Sequence, residues 1–275
     1  MPAAPSTPVL ALLASVVEER TGIHYGPDEL DIMRLKAETR ATDAGFESLL
    51  DYYYFLRYDP SGAAEMDQLV DALVVNETYF FRELPPLVHL VDRVIAPRAA
   101  AGKRTRIWSA ACSSGEEPLT LTMLLDDRGL LPSVELVATD ISARALEKAA
   151  LGRYGPRALR DPPAPGLVDK YLRREPDGGY RASRRLYDAV AWRRVNLTDP
   201  AEVARVAENG PFDAVLLRNV LIYFSDETAS RVVEAISRAL ARGGILMVGV
   251  SESLLRLGTS LVCEEHESVF VYRNP

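Results

Sequence analysis

Four apolar segments, each ending in polar residues and set among helix-forming stretches, constrain the fold of this chain more than any other feature. Arg106-Ile-Trp-Ser-Ala-Ala-Cys112 reads as a buried strand that breaks at Ser113-Ser114-Gly115. Glu116-Glu117-Pro118 then opens a helix, with acids and proline where a first turn favours them. Val134-Glu-Leu-Val-Ala-Thr139 is a second strand ending in Asp140; Ser142 is a plausible N-cap and Ala143 to Ala150 form helix well. Phe212-Asp-Ala-Val-Leu-Leu217 is a third strand with Arg218-Asn219 at its carboxyl end. Ser225 to Leu240 reads as a helix stopped by Gly243-Gly244, and Ile245-Leu-Met-Val248 as the next strand. Strands alternating with helices imply a mostly parallel sheet with right-handed crossovers, an α/β fold. Val269-Phe-Val-Tyr272 is expected as a hairpin partner at the sheet edge.

Two segments depart from this rhythm. From Val9 to Val75 apolar residues recur at helical spacing, with Leu10, Leu13, Val16 and Val17 forming one stripe. Pro27 sits just inside a second helix start, ahead of Asp28, Glu29 and Asp31, and Leu49 to Leu56 gives a third helix ending near Asp59-Pro60-Ser61-Gly62. Residues 1–75 therefore read as a small helical domain. Between Gly152 and Val195, Pro156, Pro162, Pro163, Pro165 and Gly178-Gly179 break the chain into short pieces, with a small hairpin at Gly179-Tyr180. A structureless loop of that length is uncommon, so 152–195 reads as an inserted subdomain.

Charge divides along the same lines. The 275 residues carry 32 Lys+Arg and 39 Asp+Glu, a net −7, which argues against general nucleic-acid binding. Residues 1–75 hold 5 basic and 13 acidic side chains, whereas 152–195 hold 11 basic and 5 acidic, a compact basic segment suited to an acidic partner. Two cysteines, Cys112 and Cys263, form no disulfide framework, and the chain reads as reduced and cytoplasmic. No apolar run reaches the ~18 residues of a membrane span, and no basic region precedes the apolar stretch within Met1 to Leu13. His24, His89 and His266 show no ligand spacing, so no metal is expected.

Ligands of open parallel sheets bind beyond the carboxyl ends of the strands. Cys112–Glu117, Asp140, Asn196-Leu197 and Arg218-Asn219 fall at such ends. Asp140 could accept hydrogen bonds from both hydroxyls of a ribose, or serve only the helix that follows. The first turn lacks G-x-G-x-x-G, and Glu116 and Glu117 would repel phosphate, which disfavours a dinucleotide. A cationic ligand with an ammonium and a sulfonium fits instead, unless both acids serve only the helix dipole.

Five motifs carry a family resemblance. Asn76-Glu-Thr-Tyr-Phe-Phe-Arg82-Glu83, Trp108-Ser-Ala-Ala-Cys-Ser-Ser-Gly-Glu-Glu-Pro118, Ala138-Thr-Asp-Ile-Ser142, Phe212-Asp-Ala-Val-Leu-Leu-Arg-Asn-Val-Leu-Ile-Tyr-Phe224 and Gly249-Val-Ser-Glu252 occur in order. Together they resemble the CheR family of chemotaxis receptor glutamate methyltransferases. The resemblance implies a Rossmann-like methyltransferase domain over 105–275, with a mostly parallel seven-stranded sheet and a small β-subdomain at 152–195. Residues 76–104 would form a linker and first helix that contribute to the cofactor site. It implies that S-adenosyl-L-methionine is bound, and released as S-adenosyl-L-homocysteine, by Asn76, Thr78, Arg82, Glu116 or Glu117, Asp140, Asn196, Leu197, Arg218 and Asn219. Asp140 would take the ribose, Asn196 and Leu197 the adenine, and Arg82 the methionine carboxylate. Tyr223 is the candidate for orienting the acceptor, and Arg93 for steering it.

The implied reaction is methylation of glutamates on the cytoplasmic helices of methyl-accepting chemoreceptors by a monomeric enzyme, with no nucleic acid bound and no membrane insertion. Such a receptor would meet the helical domain on a face lined by Arg34, Lys36 and Arg40, or the basic insert through Arg173, Arg174, Arg181, Arg184 and Arg185. The rival readings are a methyltransferase of another substrate class and a signalling module that senses the cofactor without turnover.

Overall fold

Apolar residues at three- and four-residue spacing fold the amino-terminal stretch into four helices: α1 (Thr7–Thr21), α2 (Leu30–Asp43), α3 (Leu49–Tyr58) and α4 (Gly62–Leu73). The computed structural model describes residues 7–26, 28–160, 165–208 and 210–275; Pro27, Pro162 and Pro163 lie outside them. Two compact units result, one of residues up to Val75 with Tyr223–Thr228, the other of Asn76–Ile222 with Ala229–Pro275.

In the first unit Leu13, Val17, Met33, Ala37, Tyr52 and Leu69 are fully buried. Ser48 caps α3 by accepting the Leu50 N–H at 3.1 Å. The Ser61-Gly62 pair read as the end of a third helix is also the start of a fourth. The expected basic face is spent on internal partners. Arg40 forks onto Glu65 at 2.6 and 2.7 Å, Lys36 donates to the Leu73 carbonyl at 3.1 Å, and Arg34 pairs with Asp31 and Glu38.

The second unit begins with a helical stretch, α5 (Leu84–His89), a π-helical turn Leu90–Ile95 and α6 (Ala96–Ala100). Then follow β1 (Thr105–Ala110), α7 (Glu116–Asp127), β2 (Val134–Asp140), α8 (Ala143–Leu151), β3 (Arg153–Tyr154), α9 (Pro165–Tyr171), β4 (Leu172–Arg174), β5 (Tyr180–Ala182) and α10 (Arg184–Asp188). Then come β6 (Val190–Arg194), α11 (Pro200–Ala207), β7 (Phe212–Leu217), α12 (Asp226–Ala239), β8 (Leu240–Val248), β9 (Val262–His266) and β10 (Val269–Arg273).

Seven strands form one sheet in the order β6-β2-β1-β7-β8-β10-β9. The first five are parallel, and β10 runs antiparallel to both neighbours. The chain starts at the centre, builds outward through β2 to β6, then returns to the other side of β1 as β7. That reversal puts a crevice at the β1/β7 switch point. The hairpin expected at Val269–Tyr272 forms, but β10 is interior and β9 is the edge. Its turn, Glu267-Ser268, holds φ of 52° and 70°, the left-handed pair of a type I′ hairpin turn.

The insert contains a three-stranded antiparallel sheet, β3-β5-β4, with its own buried cluster around Tyr154, Tyr171, Leu172 and Leu186 set against Leu119 and Met123 of α7. Residues 190–194, within the range read as the insert, are instead the β6 edge of the main sheet. The basic side chains of the insert are largely paired. Arg173 and Arg181 share Glu175, Arg184 meets Asp188, and Arg185 meets Asp126.

Candidate active site

The loop after β1 turns under strain. Ala111 and Ser113 hold φ of 61° and 50°, and Gly115 holds 90°. Only glycine fits the last position, because a Cβ there would stand 2.7 Å from the Trp192 ring. Left-handed residues other than glycine cost on the order of 1–3 kcal/mol each and persist where the surroundings over-determine them. Here Asp140 does so. Its buried carboxylate accepts the Ser113 N–H at 2.7 Å and the Ser142 N–H at 2.9 Å. The cap of α8 is Ser142, which accepts the Ala145 N–H at 3.0 Å. Asp140 therefore holds two strand-end loops and is not the helix cap.

The two glutamates of α7 separate in role. Glu116 is buried beside Ser114, whose hydroxyl donates to it at 2.8 Å, and burial pushes its carboxyl up to about 7. Glu117 faces the switch point, accepting from Ser109 Oγ and Arg218 Nη1 at 2.7 Å each. Arg218, whose side chain is 1% exposed, also donates to Glu83 at 2.9 Å and to the carbonyl of Arg82 at 3.0 Å. Burial opposes the Arg218 charge, but Glu117 and Glu83 outweigh it and hold its pKa above the ordinary value. Burial likewise works to raise Glu83, yet Arg218 and Asn219 bring its carboxyl below the usual range.

For Glu116 the sign of the linkage is fixed. Its folded pKa of about 7 exceeds the ordinary 4.5, so between those values the folded chain holds more protons than the unfolded one. Stability must fall as pH rises across that window and level off above it. Glu116→Gln is expected to match the parent near the lower end and to exceed it at alkaline pH by about 3 kcal/mol. Urea midpoints across pH give the check, and parallel curves for the two proteins contradict it.

The remaining candidates are placed as follows. Ser113 Oγ donates to Asn76 Oδ1 at 3.2 Å, bringing the start of the Asn76–Glu83 segment to the strand-end loops. Thr78 lies on the same segment, half-buried. Arg82 donates to the Glu77 carbonyl at 2.7 Å and lies 5.8 Å from the Tyr79 ring centre. Phe80 N–H bonds the Ala158 carbonyl at 2.8 Å, so the insert supports this segment. Asn196 follows β6 and accepts from Thr198 N and Oγ1 at 3.0 and 2.8 Å, with Leu197 buried beside it. The Val195 N–H bonds the Asp140 carbonyl at 3.0 Å, which sets this loop next to the acid.

Two candidates are not brought into this cluster. Arg93 is exposed and pairs with Glu267 of the β9–β10 turn at 2.8 Å. Tyr223 falls with the first unit, where its carbonyl accepts the His24 N–H at 2.8 Å. Cys112 is buried, and burial together with Asp140 pushes its thiol well up, away from reactivity. Glu83 and Glu252 occur inside quoted motifs but receive no role from sequence. Both sit at the centre of the hydrogen-bond network, and no local pattern announces pairings that span more than 100 positions, such as Arg218 with Glu83.

A family model described as CheR methyltransferase, SAM binding domain, matches residues 76–269. Chemotaxis protein methyltransferase 2 of Vibrio cholerae is 35% identical over 246 residues, covering 88% of this chain and 84% of that one. Chemotaxis protein methyltransferase 1 of Pseudomonas aeruginosa is 34% identical over 249 residues, covering 88% of each. A Pseudomonas putida protein named "Probable biofilm formation methyltransferase WspC" is 34% identical over 248 residues, covering 88% of this chain and 56% of its own length. Among solved structures, an rRNA methyltransferase of Streptomyces viridochromogenes aligns at a TM-score of 0.44 and 16% identity, over 72% of this chain and 86% of that one.

Proposed function

The chain belongs to the CheR methyltransferase family, and from that premise we propose that it methylates the side-chain carboxylates of glutamates on the cytoplasmic helices of chemoreceptors. That it is an S-adenosylmethionine-dependent methyltransferase of the chemotaxis type follows from the family itself. No helix among the described residues is long and apolar enough to cross a membrane. We place the enzyme in the cytoplasm as a monomer.

The observation that carries the reading is the charge of the crevice. Asp140, Glu117 and Glu83 stand around its strand ends against one buried guanidinium, Arg218. Three acceptor carboxylates against one guanidinium fit a ligand bearing both ammonium and sulfonium, and they repel phosphate. Bound there, S-adenosylmethionine supplies an electrophilic methyl group whose sulfur leaves as a neutral thioether when a carboxylate oxygen attacks in line. A glutamate, with an ordinary pKa near ~4.3, is already ionised at neutral pH, so the chain need not remove a proton. The described cluster offers no histidine for that purpose. Its work is to orient two groups and shed water from the acceptor.

Residue roles follow. Asp140 accepts the ribose hydroxyls, and Asn196 and Leu197 meet the adenine edge and face. Arg82, with Asn76 and Thr78 on its segment, takes the methionine carboxylate. Glu117, facing the switch point with Ser109 and Arg218 as its partners, takes the ammonium in preference to Glu116, which is buried beside Ser114 and proton-bearing near neutrality. Arg218 and Asn219 hold the far wall.

The acidic receptor helices dock on the insert. Three of its most exposed arginines are Arg173, Arg184 and Arg185, with side chains 74%, 69% and 73% accessible. Reversing these three to glutamate is expected to weaken receptor binding roughly tenfold at low salt, with the difference shrinking as salt screens it. Titration of a receptor fragment at two ionic strengths provides the check, and equal affinities at low salt remove this docking face.

The function itself is tested by incubating the enzyme with methyl-labelled S-adenosylmethionine and a chemoreceptor cytoplasmic fragment, then adding alkali. Methyl esters release labelled methanol. Label in added RNA, or donor binding without transfer to any acceptor, overturns the proposal.

A further inference from the structure

The motif Gly249-Val-Ser-Glu252 has no part in the roles assigned above, yet its acid accepts backbone N–H groups from two of the crevice loops. Glu252 Oε2 accepts the N–H groups of Asn219 and Gly249 at 2.7 Å each. Its Oε1 accepts the Leu221 N–H at 2.8 Å and the Ile222 N–H at 3.4 Å. One side chain thus collects four backbone donors from the loops that follow β7 and β8. The packing leaves no slack. A Cβ on Gly249 would stand 2.5 Å from Asn219 Nδ2 and 2.8 Å from Glu252 Oε2.

Asn219 is held from both sides. Its backbone is left-handed, with φ of 59°, its N–H is taken by Glu252, and its side-chain amide donates to Glu83 at 3.1 Å. Strain kept in place by this many bonds marks a site whose geometry matters. The sheet order says which part of the ligand it serves. Asp140 ends β2 on one side of β1, and Asn219 follows β7 on the other. A donor anchored by its ribose at Asp140 therefore directs its reacting end toward the loop after β7.

We propose that Glu252 is a positioning residue for methyl transfer, one whose carboxylate fixes the Asn219–Ile222 loop at the reacting end of the donor by holding its backbone N–H groups. The inference rests on the methyl-transfer reading above. Because Asp140, Asn196, Leu197, Arg82 and Glu117 carry the other donor contacts and Asn219 supplies one wall, disturbing Glu252 lowers turnover far more than it lowers donor affinity.

Two variants disturb the loop by different means. Glu252→Gln keeps size and shape but turns an amino group toward backbone donors. Gly249→Ala leaves the charge alone and wedges a methyl group between Asn219 and Glu252. Since a displacement of about 1 Å costs about 100-fold in rate, both are expected to lower kcat on a chemoreceptor fragment by at least about tenfold. The Kd for S-adenosylhomocysteine, read by calorimetry, stays within about threefold, and amide exchange at Asn219, Leu221 and Ile222 accelerates.

A side chain that only filled space would tolerate the isosteric glutamine. Unchanged kcat with unchanged exchange overturns the proposal, and so does a loss of donor affinity as large as the loss of turnover. If the parent enzyme transfers no methyl group to the fragment, the methyl-transfer reading fails. The exchange rates of both variants with S-adenosylhomocysteine present still decide whether Glu252 holds the loop.

Discussion

Arg218→Met lowers the unfolding free energy by about 3–5 kcal/mol, the expected cost of removing one partner from a buried charge network. Two carboxylates, Glu83 and Glu117, lose their guanidinium at once, and the carbonyls of Arg82 and Glu83 lose a donor. Urea denaturation is expected to show a lower midpoint with an unchanged slope, the mark of lost stability without a change in surface exposed. Adding Glu83→Gln and Glu117→Gln to Arg218→Met should restore much of the loss, because the penalty lies in the uncompensated negative charges. A fall below about 1 kcal/mol for the single variant would mean that the two acids find water or protons easily, and that the crevice is not dry.

Asp140→Asn is expected to abolish useful donor binding. A hydrogen bond to a charged group contributes about 1.5–3 kcal/mol, so replacing the carboxylate proposed for both ribose hydroxyls by an amide with one acceptor oxygen is expected to weaken S-adenosylhomocysteine by about 100-fold. The amide also turns a donor toward either the Ser113 or the Ser142 N–H, which loosens the loops that the carboxylate now holds. Calorimetry on folded protein provides the check. Affinity within about threefold of the parent, with the same melting temperature, would remove Asp140 from the ribose site.

Much of this was legible in the chain. The strands β2 and β7 begin at Val134 and Phe212 as their apolar runs indicate, and Asp140 and Arg218-Asn219 fall at strand ends as read. These elements are buried on both faces, so their sequences are nearly continuous apolar runs. The edge strands were harder. In β6, Val190-Ala-Trp-Arg-Arg194 has one buried residue, and β9, Val262-Cys-Glu-Glu-His266, has none. Neither alternates cleanly, because pairing on one side supplies what burial does not. The strained turns were invisible for another reason. Phe81, Glu83, Ala111, Ser113 and Asn219 adopt positive φ without glycine, and the N–H groups of Phe81, Ser113 and Asn219 are held by side chains distant in sequence. On α2, Arg40 and Lys36 find partners 25 and 37 positions away, which helical spacing cannot reveal.

The π-helical turn Leu90–Ile95 carries Arg93, and its pairing with Glu267 ties the first helix of the second unit to the β9–β10 hairpin. That contact accounts for Arg93 as a surface ion pair, worth little to stability on its own.

Tandem mass spectrometry of a chemoreceptor cytoplasmic fragment, after turnover with S-adenosylmethionine, bears most directly on the central claim. The expected result is a mass increment of one methylene on glutamate side chains, erased by mild alkali and absent when Asp140→Asn replaces the parent enzyme. An increment that survives alkali on a nitrogen-bearing side chain, or an unmodified fragment beside an enzyme that binds the donor well, would contradict it.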